Sequence, residues 1–526
     1  MMSLYSGWKE KKMSFGVLAG IALVVGLILA VGLLSGRRVK DSSDFLSGSG
    51  KAGTFLVAGA IMGSLVGSQA TMGTAQLSFQ FGFSGWWFTL GCCFGCLALG
   101  ILYSHKLRKS GCITELAIVT KEYGPVSGTL SSVLCSIGIF ISVFSQVIAC
   151  AGLISTLFPG TPLWAGAMIS ALLMGLYVIF GGAWGAGMGG IVKLLLLCGV
   201  SLLGLCFILY WSNGPIGLWN GLNDLLTGTA LGLIRQEASG IPNITDANVL
   251  KSQFLSLTAR GVVKDLSSGV SLLLGVLCTQ SYAQAIWSGK SDRAARNGAL
   301  ISAAAAPFIG LCGVAIGLFM RSHYILRVEA EALTAAGKMI PDLPILETTI
   351  RTMPTFAIDH FPPVIAGIIL GTLLITAVSG GAGLSFGMAT ILTRDILKRM
   401  SRRWDDQKRE LNAVRVCIGG ILLAAVAVTI SLPDSLINDF GFLSMGFRAC
   451  VLFLPMTAAL WLPGKVDGRC ILLSMILSPC ADILSKVFSL PGDPLLYGMA
   501  VSLLVCTLGY FMKKRRADCR LSNSNI

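Results

Sequence analysis

The feature that most constrains this chain is a series of apolar runs, each long enough to cross a bilayer. A hydrocarbon core of about 30 Å is spanned by roughly 20 helical residues rising 1.5 Å each. Runs of this kind are read at 14–34, 53–82, 84–104, 126–157, 162–181, 186–211, 262–286, 298–320, 362–393, 411–432, 436–463, 469–489 and 494–512. Peptide groups in lipid need partners within their own segment, so runs of this length are helices. The expected fold is all-α, a polytopic membrane protein with about 13 transmembrane helices. Composition points the same way. Of 526 residues 54% are hydrophobic and 12% charged, whereas a soluble domain carries roughly 25% charged residues. The partner implied for most of the surface is the lipid bilayer.

The net charge of +15 does not indicate nucleic acid. The basic residues fall in short runs between apolar segments rather than on one face of a folded domain. Arg37, Arg38 and Lys40, then Lys106, Arg108 and Lys109, then Lys290, Arg293 and Arg296 occupy alternate connections. Arg394, Lys398, Arg399, Arg402 and Arg403, and finally Lys513–Arg516, continue that side. Lys9, Lys11, Lys12, Arg235, Lys251, Arg260, Arg327 and Lys338 are spread thinly over the other. The positive-inside rule then places the N-terminus outside and the C-terminus in the cytoplasm of a cell (inner) membrane. The first apolar run is long for a signal peptide and suits a spanning helix better. The 16 cysteines lie mostly in apolar segments and read as small buried hydrophobes.

The second run stands apart. Gly59, Gly63, Gly67 and Gly73 are interleaved there with Ser64, Ser68, Gln69, Thr71, Thr74 and Gln76. Polar groups facing lipid are costly, so this helix faces protein or a wet cavity. Its glycines permit unwinding that frees carbonyls for a cation; close packing of small residues is the other reading. The ninth run repeats the pattern from Thr376 to Ser385. In the seventh, Gln280 and Gln284 are four apart and share a face, which suggests either a cavity wall or an interhelical hydrogen bond.

These segments resemble the sodium:solute symporter family. The likeness rests on Arg38–Gly50, Gly73–Phe79, Gly85-Trp86-Trp87, Gly289-Lys290-Ser291, and Pro362–Gly371 leading through Ser379 to Thr393–Ile396. It implies a LeuT-like core of five-plus-five inverted repeats. On that basis the chain divides into an N-terminal peripheral helix and loop at 1–52 and a first repeat at 53–211. An extracytoplasmic loop at 212–261, a second repeat at 262–463 and a peripheral pair with a basic tail at 464–526 complete it. The resemblance implies a cation site at Gly63, Val66, Thr376 and Ser379, and a solute site near Gln69, Thr71, Gln76, Gln280 and Gln284. The implied ligands are the coupling cation, Na⁺ or H⁺, and a small organic solute. No organic cofactor, nucleic acid or oligomer is required.

Two departures bear on the ion. A second hydroxyl is usual in the family after Ser379, and here that position is Gly380. The family's acid near the start of its sixth helix is missing, and Lys193 stands where its glutamine would be. Lys193 either replaces the sodium and couples transport to protons, or snorkels to the membrane surface. Arg448 is a second charge within a span; Asp482 or a substrate carboxylate is its expected partner. The function expected is cation-coupled symport by alternating access, with Na⁺ as first choice. H⁺-coupled or Na⁺-independent transport through Lys193 is the alternative, and a solute sensor without net transport a further one. An enzyme is not expected, since His105, His323 and His360 fall at loops or span ends.

Overall fold

A computed structural model describes residues 14–36, 50–158, 160–228, 254–335, 337, 340, 342–400, 406–431 and 436–524. Lys9, Lys11, Lys12, Arg37, Arg38, Lys40, Arg235, Lys251, Lys338, Arg402 and Arg403 lie outside the described residues, as does all but the end of the Arg38–Gly50 motif. Helix α1 is Phe15–Gly36. Helix α2, Thr54–Leu65, is followed after a gap by a π-helical turn, Gln69–Gly73, and by α3, Thr74–Phe81. Then come α4, Trp87–Ala98, α5, Ser104–Lys109, and the short α6, Glu115–Tyr123. The long α7, Pro125–Leu157, α8, Leu163–Trp211, and α9, Pro215–Gly228, complete the first half.

The second half opens with α10, Val262–Leu277, and α11, Gln280–Ser288, followed by α12, Asp292–His323. A two-residue parallel ladder, β1 (Ile325–Leu326) with β2 (Ile345–Leu346), brackets α13, Arg327–Ala335. After α14, Thr352–His360, come α15, Pro363–Ile391, α16, Gln407–Ser431, and α17, Ile437–Trp461. The hairpin of α18, Gly468–Val487, and α19, Pro494–Ser524, ends the described chain.

Among the described residues nine helices are long and apolar enough to cross a membrane, or ten if the bent pair α10–α11 is one span. The sequence suggests about thirteen. One part of the difference has a local cause, a break in the second run. The run 53–82 splits at Val66, which leaves the 12-residue α2 too short to cross alone.

Helix α8 is nominally 49 residues, which at 1.5 Å each would reach about 74 Å. It cannot be straight. A β-carbon at Gly189 would collide with the Tyr177 hydroxyl, although 12 helical residues advance about 18 Å. The element therefore turns back on itself between them.

Charges gather at the two ends of the bundle. At one end Arg108 pairs with Asp292 at 2.6 Å, and Glu410 with Arg394 at 2.8 Å and Lys398 at 3.0 Å. At the other, Asp265 meets Arg260 at 2.7 Å, and Glu329 meets Arg321 at 2.9 Å. Two cations sit apart from these. Lys193 and Arg448 are buried mid-bundle, and neither has a carboxylate within ion-pair distance among the described residues.

Candidate functional site

The site is built where two helices break. Helix α2 ends at Leu65, and Val66, with ψ 79°, carries the chain out of helical geometry before the π turn at Gln69. Gln146 of α7 fills the gap. Its Oε1 accepts from the Ser68 N–H at 2.8 Å and from the Ser68 hydroxyl at 2.7 Å. A β-carbon at Gly67 would overlap the Gln146 amide, 2.7 Å from Oε1, so glycine lets the amide sit in the gap. The second break separates α10 from α11, which meet at 46°. Thr279 starts α11 from an extended conformation, φ −117° and ψ 110°. Each five-helix block thus opens with a discontinuous helix.

Lys193 lies beside the first break. Its backbone approach depends on glycine: a β-carbon at Gly190 would strike the Gly59 carbonyl, so α8 and α2 are in direct contact there. Three residues further along α8 and four further along α2, the Lys193 Nζ donates to the Gly63 carbonyl at 2.8 Å. A longer contact of 3.5 Å reaches the Thr376 carbonyl on α15. The Ser379 hydroxyl donates to the same Thr376 oxygen at 3.3 Å. The side chain is not directed to the bundle surface; Lys193 is 1% exposed. Three of the four positions expected to hold a cation therefore converge, and the group standing among them is the Lys193 Nζ. The fourth, Val66, adjoins the break, with its N–H bonded to Met62. At Gly380, a β-carbon would stand 3.0 Å from the Gly67 Cα and 3.2 Å from the Gln146 Oε1.

A second polar cluster joins the two breaks. Gln69 donates from Nε2 to the Ser145 hydroxyl at 2.7 Å. One turn away on α7, the Ser142 hydroxyl donates to that of Ser444 on α17 at 2.6 Å. The Arg448 guanidinium lies next: Nε donates to the Ser444 carbonyl at 3.0 Å, and one terminal nitrogen to the Ser444 hydroxyl at 3.0 Å. The other terminal nitrogen donates to Thr279 Oγ1 at 2.6 Å. The chain of contacts thus runs from the break after α2, across α7 and α17, to the break between α10 and α11. Gly138 admits the arginine stem, since a β-carbon there would sit 2.5 Å from its Cγ. Phe144 and Phe440, with ring centres 4.7 Å apart, wall the cluster. Asn438 is 1% exposed, and neither its amide nitrogen nor its oxygen has a hydrogen-bond partner.

The residues expected to hold solute divide. Gln69 belongs to this cluster. Gln76 ties α3 to the loop and to α17, donating to Thr349 Oγ1 at 2.9 Å and accepting from the Ile437 N–H at 3.3 Å. Thr71 donates back to the Gly67 carbonyl at 3.3 Å. Gln280 is turned to the segment before α6: it accepts from the Glu115 N–H at 3.0 Å and donates to the Ile113 carbonyl at 3.0 Å. Gln284 is buried one turn along α11. Asp482 belongs to α18 and makes no ion pair with Arg448 among the described residues. Gln146, Ser142, Ser145, Thr279 and Ser444 were not singled out from the sequence.

Comparison with known proteins gives this arrangement a family. Residues 45–463 match the sodium:solute symporter family. A substrate-bound, outward-open Na⁺-coupled sialic acid symporter superposes with a TM-score of 0.71 at 15% identity, covering 95% of this chain and 98% of its own. Mhp1, a nucleobase-cation-symport-1 transporter in a closed, bromovinylhydantoin-bound conformation, gives 0.51 at 11% identity over 91% and 95%. These likenesses show the fold, the LeuT-like arrangement of inverted five-helix repeats. Among curated proteins, an uncharacterized symporter, YwcA of Bacillus subtilis (strain 168), is 25% identical over 211 residues, 40% of either chain. The match thus spans less than half the length of that relative. The family covers the broken helices, both buried cations and the clusters around them: the chain belongs to the sodium:solute symporter family, a class of multi-pass membrane transporters rather than enzymes.

Proposed function

We propose that this protein is a cation-coupled symporter of a small organic solute in which the Lys193 ammonium takes the place of the ion between helices α2 and α15. One observation carries the reading: the Lys193 Nζ stands 2.8 Å from the Gly63 carbonyl and 3.5 Å from that of Thr376. A second monovalent cation about 4 Å from the ammonium would meet repulsion of about 4 kcal/mol at an effective dielectric of 20. That is roughly a thousandfold in affinity. Coupling at this position then runs through the proton that Lys193 takes and releases. Protonated, the side chain ties α2 to α15 by charge-assisted bonds; neutral, it holds them less firmly. Because the two access states differ in that contact, proton binding biases their equilibrium. The solute binds in the cluster between the breaks, near Gln69.

The end of the bundle carrying Arg108, Arg394 and Lys398 faces the cytoplasm, with the N-terminus outside, by the positive-inside rule. Sodium coupling is the second reading. The family favours it, and Thr376 and Ser379 keep their oxygens at the position. Proteoliposomes in which sodium and proton gradients are imposed separately decide between the two. Uptake that follows sodium and ignores the proton gradient defeats the lysine reading. Solute equilibration with no accumulation under either gradient would favour a sensor.

A further inference from the structure

We infer that the transported solute is a carboxylate, recognised by Arg448; the inference rests on the transport reading above and names its substrate class. Arg448 is fully buried, in the middle of a membrane helix, where an unpaired guanidinium is costly. All its described partners are neutral: Thr279 Oγ1 at 2.6 Å, the carbonyl and hydroxyl of Ser444 at 3.0 Å, and the Met445 sulfur at 3.0 Å. These contacts orient the group without balancing its charge.

Glu115, on α6, is the carboxyl electrostatically coupled to it, but no ion pair joins them, and Glu115 Oε1 lacks a hydrogen-bond partner. Burial pushes the Glu115 carboxyl well above its usual range, against the opposing pull of Arg448, so it is a poor counter-ion. A buried guanidinium with no carboxylate within ion-pair distance among the described residues is matched by an anion that arrives with the solute.

Position agrees with charge. Arg448 bonds the first residue of the second helix break, and through Ser444, Ser142 and Ser145 it communicates with Gln69 at the first. Guanidinium binds carboxylate in two parallel hydrogen bonds, and a small carboxylate displacing the Thr279 contact would bring its charge to the break itself. With one proton carried by Lys193, cotransport of a monocarboxylate moves no net charge.

The test uses the purified full-length protein and a thermal-stability screen, since a ligand of the native state raises its melting temperature. The probes are monocarboxylates of two to nine carbons, their amides, and neutral sugars. At least one acid stabilises the wild-type protein, its amide binds at least tenfold more weakly, and Arg448→Gln loses the acid's effect at least tenfold. The acid-against-amide comparison needs no variant, so it stands even where Arg448→Gln fails to fold. No shift from any acid, or a neutral solute matching its acid, overturns the inference. The acid-against-amide comparison is made at one fixed sodium concentration and pH, so it reads solute selectivity whichever ion couples. Acid selectivity with sodium-driven uptake would therefore sink the lysine reading alone, and proton-driven uptake of a neutral solute would sink this one alone.

Discussion

Lys193 and Arg448 are both buried, and neither has a carboxylate within ion-pair distance among the described residues, yet they are built for different work. The lysine contacts backbone carbonyls on two helices, Gly63 on α2 and Thr376 on α15. The arginine contacts mainly side chains and the starting residue of α11. An amine exchanges its proton; a guanidinium does not under any condition a protein meets. The lysine therefore suits a position that must change charge in each cycle, and the arginine one that must keep it. The difference teaches that a buried cation's role is set by what it touches and whether it can become neutral, not by burial alone.

The sharpest way to break this comparison is to make the lysine as permanent as the arginine. Lys193→Arg keeps the charge between α2 and α15 but removes its release. Uptake into proteoliposomes is expected to fall to background, while equilibrium binding of the solute stays within about threefold of wild type. Lys193→Ala removes charge and proton together. Under a gradient of one pH unit, accumulation is expected to drop from as much as about tenfold, the limit for one proton, to equilibration. Accumulation retained in Lys193→Ala would end the lysine's role.

The converse change asks how much of the arginine is its geometry. Arg448→Lys preserves the charge and loses the planar fork. Solute affinity is expected to fall about tenfold, in line with the loss of one charge-assisted hydrogen bond of about 1.5 kcal/mol, with the proton dependence of uptake unchanged. A shift in that proton dependence would show that the two cations are not separate devices.

The sequence made the lysine legible and left its surroundings obscure. Gly63, Thr376 and Ser379 were found because glycine, threonine and serine are conspicuous in apolar helices and because the family likeness orders them. The Lys193 contact depended on distance in space: α8 turns back on itself, and Gly190 lets it touch α2. No period in the sequence carries that information. Ser142 and Ser145 carry no signal of their own, because serines in membrane segments are common and read as small-residue packing. Gln146 was the available signal, a lone amide in an apolar helix adjoining those serines. Gln280 was grouped with Gln284 by helical spacing, which is sound within α11. The 46° bend at its start is what turns Gln280 toward Glu115 and Ile113.

A smaller effect would sharpen the ion comparison by rebuilding the family's pattern. Lys193→Ala combined with Gly380→Ser removes the ammonium and supplies the missing hydroxyl. A β-carbon at Gly380 lies 3.0 Å from the Gly67 Cα and 3.2 Å from the Gln146 Oε1, so the interrupted backbone at Gly67 and the flexible amide each have to give by a few tenths of an ångström. Sodium is expected to stabilise the double variant but not the wild type. At ten times its dissociation constant the gain is about 1.4 kcal/mol, a rise of a degree or two in melting temperature. Equal sodium shifts in both proteins would mean that the ion binds elsewhere.

The smallest effect belongs to Ser379→Ala, and it discriminates for that reason. If sodium sat among these oxygens, losing one of few ligands would raise the sodium concentration for half-maximal uptake severalfold, because a hard cation depends on each oxygen. With the ammonium in place, the Ser379 hydroxyl only donates to the Thr376 carbonyl at 3.3 Å, competing for the oxygen that Lys193 reaches at 3.5 Å. Removing it frees that carbonyl for the lysine. Proton-driven uptake is then expected to change by less than about twofold, since a long neutral hydrogen bond contributes under about 0.5 kcal/mol. Uptake measured against sodium and against pH in the same variant separates the two cases: a severalfold rise in the sodium requirement would return the position to the metal ion.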